Sequence, residues 1–218
     1  MRGALEQEGN AFVRAATALS GGDFSRPTRL PAWNVLELIG HVWRGLDRVR
    51  WTLSQPPPAS ADHDAVSYWR SYDRASDGAT AERAKDVARR SATGEDLVRD
   101  IDAILREGLS AAAAQADDRV VATWGPTLRL DEFLATRVVE LTVHGLDLAE
   151  SVGRRPWATG AGTSVTRGVL VRALGSEPPA VQAMDDTAFL ELATGRRPVT
   201  ASERARLGAV ASRFPLLS

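Results

Sequence analysis

The chain has 218 residues, with 27 basic and 28 acidic side chains, three histidines and no cysteine. The missing cysteine excludes disulfides, thiolate-bound metals, iron–sulfur clusters and a cysteine nucleophile. Any metal site must therefore combine histidine with carboxylate ligands. A net charge of −1 argues against a broad nucleic-acid-binding surface.

The apolar content and its distribution indicate a globular protein away from the membrane. Hydrophobic residues make up 44% of the chain, which is enough to build a core. No apolar run approaches the roughly 18 residues of a membrane helix. The first ten residues, MRGALEQEGN, lack the apolar segment of a signal peptide. We therefore expect a cytoplasmic protein with no membrane or nucleic-acid partner.

The first two predicted helices are amphipathic. Residues 3–19 carry apolar side chains at helical spacing and are followed by two glycines. After a proline-containing loop, Asn34 and Glu37 match a capping box, and Trp33 and Leu38 suit a hydrophobic staple. One apolar stripe then extends over nearly 20 residues, through Val35, Ile39, Val42, Leu46, Val49 and Leu53.

Proline and glycine punctuate the middle of the chain. Pro56–Pro58 ends the second helix and opens a polar loop. Helices are predicted at about 63–76 and 80–115, the second with a break near Gly94. Residues 119–130 place β-branched side chains around a Gly-Pro pair, which predicts a short hairpin or an extended connection.

The remaining pattern is helical to the end of the chain. Asp131 is expected to cap a helix that runs to about Ser151. Four long helices within the first 150 residues predict an all-α fold, a four-helix bundle with one long crossover. We expect a bundle domain over residues 1–152 and a short helical region over 153–218. Three further helical patterns lie in that region, at 161–174, 185–194 and 201–212.

The helix over 131–151 carries an unusual stripe of charge. At 100° per residue, the side chains of Arg137, Glu140, His144 and Asp147 fall within an arc of about 80°. A solvated face would not be bracketed by aliphatic residues, so we expect this arc to face the bundle interior. The bracketing residues are Leu134, Leu141, Leu148, Val139 and Val143.

Two of these residues have the spacing of metal ligands. Glu140 and His144 are four residues apart, so their side chains meet on one helix face. An ordinary ion pair would explain that pair equally well. A third ligand must come from His41 or His63, and His63 stands between two aspartates in a polar loop. His41, on the capped helix, is the better candidate, although it also fits an ordinary histidine at the flank of a helix.

Two segments resemble a known family. Residues 30–44, LPAWNVLELIGHVWR, resemble the Leu-Pro-x-Trp-(Thr/Ser/Asn)-Val … His segment of the mycothiol-dependent maleylpyruvate isomerase family. Residues 137–149, RVVELTVHGLDLA, resemble its Arg-x-x-Glu-x-x-x-His-x-x-Asp-Leu-Ala segment. The resemblance covers about residues 1–150 and implies a DinB-like metal-binding four-helix bundle.

The resemblance also implies a cofactor and a reaction. His41, Glu140 and His144 match the three protein ligands of the family's divalent metal, usually zinc, with nickel and iron(II) as alternatives. Its open fourth position is where mycothiol binds as a thiolate. The implied activity is isomerisation, or S-transfer, on a small electrophilic substrate by a monomer or homodimer.

For four other charged residues, the sequence allows both a functional and a structural role. Arg137 and Asp147 are candidates for supporting the ligands or binding substrate, and a structural ion pair explains them as well. Arg196 and Arg197 could bind an anionic group, or simply be solvated.

The C-terminal region leaves the substrate open. The segments FLELATGRRP and RFPLLS resemble tails of actinobacterial members of the family. The full isomerase has a larger C-terminal domain that resembles a sterol-carrier fold, whereas only 65 residues follow position 153 here. Two other function classes therefore remain open: a non-catalytic, metal-stabilised binding or stress-response module, and a non-haem iron(II) enzyme.

Overall fold

The structure is a computed structural model that describes residues 1–217. The predicted all-α class is confirmed: within that range the only sheet is one antiparallel hairpin of β1 (Val120–Ala122) and β2 (Thr127–Arg129). The helices in the same range are α1 (Arg2–Thr17), α2 (Val35–Ser54), α3 (Ala65–Arg70), α4 (Asp77–Arg90), α5 (Gly94–Ala113), α6 (Leu130–Ser151), α7 (Gly160–Leu174), α8 (Pro179–Gln182), α9 (Asp186–Ala193) and α10 (Ala201–Leu207). Short 3-10 turns occur at Asp23–Ser25, Arg74–Ser76 and Gly208–Arg213.

The four longest helices form a DinB-like bundle. Helix α1 packs on α5 and α6, and α2 packs on α5, α6 and the shorter α4. The connection from α2 to α5 is the long crossover and carries α3 and α4. The core between the helices is apolar and fully buried, with Phe12, Leu38, Ile101 and Phe133 among its largest side chains.

The start of α2 follows its sequence signals. The backbone N–H of Glu37 donates to Oδ1 of Asn34, and the backbone N–H of Asn34 donates to Oε2 of Glu37, each at 2.9 Å. This reciprocal capping box satisfies two backbone donors that would otherwise be unpaired. It sets where α2 begins, and so where His41 falls on its surface.

Helix α6 passes through the interior of the molecule. It packs against α1 and α2 on one side and α7 on the other, and 18 of its 22 residues are buried. The prediction that Asp131 caps this helix is wrong. Strand β2 runs directly into α6 at the buried Leu130, so Asp131 lies in the first turn and pairs with Arg129.

The predicted helix over 63–76 is also wrong in length, because α3 ends at Arg70. Asp64 caps α3, and Asp73 then accepts a hydrogen bond from the backbone N–H of Ala75, which starts a separate 3-10 turn. Such side-chain bonds offer the backbone an alternative to a continuing helix. The break predicted near Gly94 is confirmed, since α5 begins there.

Helices α7 to α10 bury a second apolar cluster that includes Leu170, Leu174 and Phe189. Helix α7 joins this cluster to α6 and α1. The carboxylate of Glu8 on α1 accepts hydrogen bonds from the backbone N–H and the hydroxyl of Thr159, the N-cap of α7. No helix within residues 1–217 has the length and apolar character needed to cross a bilayer.

Candidate functional site

The charged stripe of α6 faces inward. Arg137, His144 and Asp147 are buried, and the side chain of Glu140 is 18% exposed. Ionisable groups in such surroundings need partners to offset the loss of hydration. Arg137 pairs with Glu140 and His144 with Asp147 within α6, and Arg137 and Asp147 also bond to residues outside this helix.

Helix α2 brings His41 to this stripe. Its Nε2 lies 4.0 Å from Oε1 of Glu140, and its ring lies edge-on to that of His144 with centroids 4.8 Å apart. The indole of Trp33 stacks on His41 at 4.6 Å and lies edge-on to His144 at 6.3 Å. The structure therefore brings together the three residues that the sequence singled out.

His144 is oriented by a carboxylate. Its Nδ1 lies 2.9 Å from Oδ2 of Asp147, three residues further along α6. Burial alone would raise the pKa of Asp147, but hydrogen bonds from His144 and Arg196, with their charges, hold it well below its ordinary value. Because Asp147 is ionised, Nδ1 of His144 donates to it, and Nε2 makes no hydrogen bond within residues 1–217.

His41 has no hydrogen-bond partner on either ring nitrogen. Its Nδ1 is buried without a partner, and its Nε2 is too far from Glu140 for a hydrogen bond. Burial, then the charges of His144, Arg44 and Arg137, lower the pKa of His41 well below its ordinary value. The imidazole is therefore neutral, which is the form that coordinates a metal.

Arg137 holds one oxygen of Glu140. Its Nη1 donates to Oε2 at 2.8 Å, which leaves Oε1 on the side of His41. Its Nη2 donates to the hydroxyl of Tyr68 at 3.1 Å, and the half-exposed Trp124 donates to the same hydroxyl at 3.2 Å. Tyr68 was not singled out from the sequence, because α3 carries no periodic polar pattern that would mark it.

The two arginines of the TGRRP turn have different partners. Arg196 donates to both oxygens of Asp147, at 3.1 and 2.9 Å. Arg197 donates to both oxygens of Glu203, at 2.8 and 2.7 Å. Nε of Arg29, in the loop before α2, also donates to Asp147 at 2.6 Å, a contact that was not predicted from the sequence. A loop residue 118 positions away has no local signal that could have indicated it.

A family model described as the mycothiol maleylpyruvate isomerase N-terminal domain matches residues 5–149, about two thirds of the chain. The chain belongs to this family. No curated protein and no solved structure is similar enough to the chain to count as a match. The part that matches the mycothiol maleylpyruvate isomerase N-terminal domain includes His41, Glu140 and His144, and it ends before α7.

The donor atoms of His41, Glu140 and His144 in this family member suit a divalent metal, although the side chains are not close enough together to coordinate one ion. Within residues 1–217, no group of three or more histidine and carboxylate side chains is arranged as a formed metal site. The 4.0 Å between His41 and Glu140 exceeds the roughly 3.3 Å between ligand atoms that tetrahedral zinc bond lengths imply. The unpartnered His41 ring, Nε2 of His144 and Oε1 of Glu140 nevertheless offer two imidazole nitrogens and one carboxylate oxygen.

A groove elsewhere on the isomerase-family chain does not include these residues. Its volume is about 780 Å³, and Asp62, Asp64, Arg70 and Arg172 are among its lining residues. The charges in it are paired within the chain, with Arg172 donating to Asp64 at 2.7 Å and Arg70 donating to a backbone carbonyl. We therefore place the candidate site at His41, Glu140 and His144.

Proposed function

We propose that this chain binds one divalent metal ion, zinc in the first instance, through His41, Glu140 and His144. We further propose that it uses the metal to activate a small thiol cofactor of the mycothiol type. The thiol then acts on a small electrophilic substrate, by isomerisation or by S-transfer. The observation that carries the proposal is the convergence of two imidazoles and one carboxylate from two neighbouring helices. The match to the isomerase family supports it.

The side chains around the triad prepare the three ligands. Asp147 keeps the proton of His144 on Nδ1, so that Nε2 is available. Arg137 holds Oε2 of Glu140 and leaves Oε1 available. Trp33 stacks on His41 and limits the positions its ring can take.

A bound divalent metal supplies a Lewis acid that lowers the pKa of a thiol, so that the thiolate nucleophile is present near neutral pH. A thiolate bound there would add to a conjugated double bond and create a single bond about which the substrate could rotate. Elimination of the thiol would then complete an isomerisation, whereas retention of the sulfur would give an S-conjugate. Half-buried Arg44, one turn after His41, adds positive charge beside the proposed site.

We also propose that the chain is divided into two structural parts. Residues 1–152 would form the metal-binding bundle, and 153–218 a helical region packed on it. The proposed partners are the small thiol and the substrate, and a cytoplasmic location remains a prediction from the sequence.

The metal part of the proposal is tested by binding measurements on stripped protein. Zinc is titrated into wild type, H41A, H144A and E140Q in competition with a chromophoric chelator. His63 serves as the matched control, because its Nδ1 bonds Asp62 in a surface loop away from the triad. We expect one zinc per chain, a loss of affinity above 100-fold in the three site variants, and no loss in H63A. Wild type without affinity, or an equal loss in H63A, would contradict the proposal.

The thiol part is tested by calorimetry of mycothiol or a simpler thiol with zinc-loaded protein. Micromolar binding that disappears in H144A supports the proposed enzyme. Metal bound with no thiol affinity supports a non-catalytic, metal-stabilised module instead. Iron with oxygen-dependent turnover supports an iron(II) enzyme.

A further inference from the structure

Among the charged side chains of the candidate site, that of Asp147 is the most deeply buried. Its side chain is fully buried, and its two oxygens accept four hydrogen bonds. Oδ1 accepts from Nε of Arg29 at 2.6 Å and from Nε of Arg196 at 3.1 Å. Oδ2 accepts from Nη2 of Arg196 and from Nδ1 of His144, each at 2.9 Å.

The two guanidinium groups fix the position of the Asp147 carboxylate beside His144. A buried carboxylate without cationic partners moves toward water. A displaced Asp147 could no longer accept the Nδ1 proton of His144. The imidazole would then be free to rotate or to carry its proton on Nε2, which blocks that nitrogen as a ligand.

Both arginines are connected to the chain beyond the bundle. Arg196 lies in the turn that follows α9. Arg29 lies in the loop before α2, but its Nη1 donates to Glu191 of α9 at 2.8 Å. The support of Asp147 therefore depends on α9 and the following turn, which lie outside the part of the chain that matches the family.

We propose that Arg29 and Arg196 are positioning residues that hold Asp147 against His144. Docking of the C-terminal helical region is thereby coupled to the availability of Nε2 of His144 as a metal ligand. This inference rests on the proposed metal site at His41, Glu140 and His144. The coupling is reciprocal by thermodynamic necessity: a ligand bound at His144 also stabilises the docked turn after α9. A purely structural clamp would change stability and leave His144 unaffected.

The chain offers a matched control for this distinction. Arg197 is adjacent to Arg196 and pairs with Glu203, with a longer 4.0 Å pair to Glu191, and it makes no hydrogen bond to Asp147. The variants R29Q, R196Q and R197Q each remove one guanidinium charge, and only the first two remove a hydrogen bond to Asp147. R196K, which restores the charge with a single point donor, is the conservative variant.

Two measurements are made on full-length variants whose circular dichroism spectra match that of wild type. The first is zinc affinity by chelator competition. We expect R29Q and R196Q to lose about 10- to 100-fold in affinity, R196K to lose less, and R197Q to be unchanged. The second is nitrogen-15 NMR of the His144 imidazole without metal. We expect a single Nδ1–H tautomer in wild type and R197Q, and a mixture in R29Q and R196Q.

The outcomes separate this inference from the proposed function. Wild-type affinity and a single tautomer in both R29Q and R196Q would overturn the positioning role. An equal effect in R197Q would overturn it as well, because loss of any arginine in the turn would then suffice. Wild type that binds no zinc contradicts the proposed function, while the tautomer of the metal-free protein still decides the positioning role.

Discussion

Gly45 of α2 faces the carboxylate of Glu140 of α6, and a Cβ atom on that glycine would lie 2.7 Å from Oε2. The same oxygen accepts the hydrogen bond from Arg137. The missing side chain thus lets the carboxylate remain between Arg137 and His41 while the two helices pack closely. Glycine at this position is explained by the room that Glu140 needs, rather than by backbone conformation.

The variant Gly45→Ala is therefore expected to lower zinc affinity, because the methyl group would force Oε2 of Glu140 away from its present position. Alanine favours a helix over glycine by about 1 kcal/mol, so the thermal midpoint should not fall in parallel. Chelator competition and circular dichroism measure the two effects. Gly3→Ala is the control, since nothing lies within 4 Å of its Cβ position. Unchanged zinc affinity in Gly45→Ala would refute the steric explanation.

The buried carboxylate of Glu8 is expected to make stability fall as pH rises. Burial raises the pKa of Glu8, despite the hydrogen bonds from Thr159. The folded protein therefore keeps this proton at pH values where the unfolded chain has released it. The stabilising contribution is complete below the ordinary value of 4.5 and is lost as pH rises through the raised folded-state value.

Glu8→Gln removes this titration and keeps an oxygen that can accept from Thr159. The free energy of unfolding of E8Q, relative to wild type, should increase from about pH 4 to about pH 7. Urea denaturation at a series of pH values measures this difference. Glu6→Gln is the control, because Glu6 lies exposed on the same helix. A difference that is independent of pH would show that Glu8 does not titrate in this range.

Trp33 should report on metal binding, because its indole stacks on His41 at 4.6 Å. A paramagnetic ion such as Co²⁺ quenches nearby fluorophores, so Co²⁺ should quench part of the tryptophan emission of wild type. Trp33→Phe should lose most of that quenching. Trp51→Phe should retain it, since Trp51 is exposed and packs on Arg48. Equal quenching in wild type and Trp33→Phe would place the ion away from His41.

Gly40→Ala is expected to destabilise the bundle. Its Cβ would lie 2.6 Å from the backbone oxygen of Ala84, where α2 packs on α4, and a backbone atom cannot rotate away. Overpacking of this kind costs about 1–3 kcal/mol of unfolding free energy, measurable by urea denaturation. Gly108→Ala is the control, since its nearest neighbour, Cβ of Val49, is at an ordinary 3.4 Å. Wild-type stability in Gly40→Ala would contradict this close approach.

Much of the fold was predictable because its signals are local. The capping box of Asn34 and Glu37 involves residues three apart, and the structure confirms it. The two errors occurred where local signals compete. Asp131 has the chemistry of a cap, but the preceding hairpin already determines where α6 begins. Asp73 diverts the chain into a separate turn where the apolar spacing alone indicated a continuing helix.

The sequence by itself determined which face of α6 carries Arg137, Glu140, His144 and Asp147, because helix geometry converts spacing into direction. Only the tertiary structure decided what surrounds that face. It brings His41 within 4.0 Å of Glu140, directs Arg196 to Asp147 instead of to solvent, and adds Arg29 from a loop. Each of these contacts joins residues that are 49 to 118 positions apart in the sequence. Chain packing creates them, and no periodicity in the sequence encodes their partners.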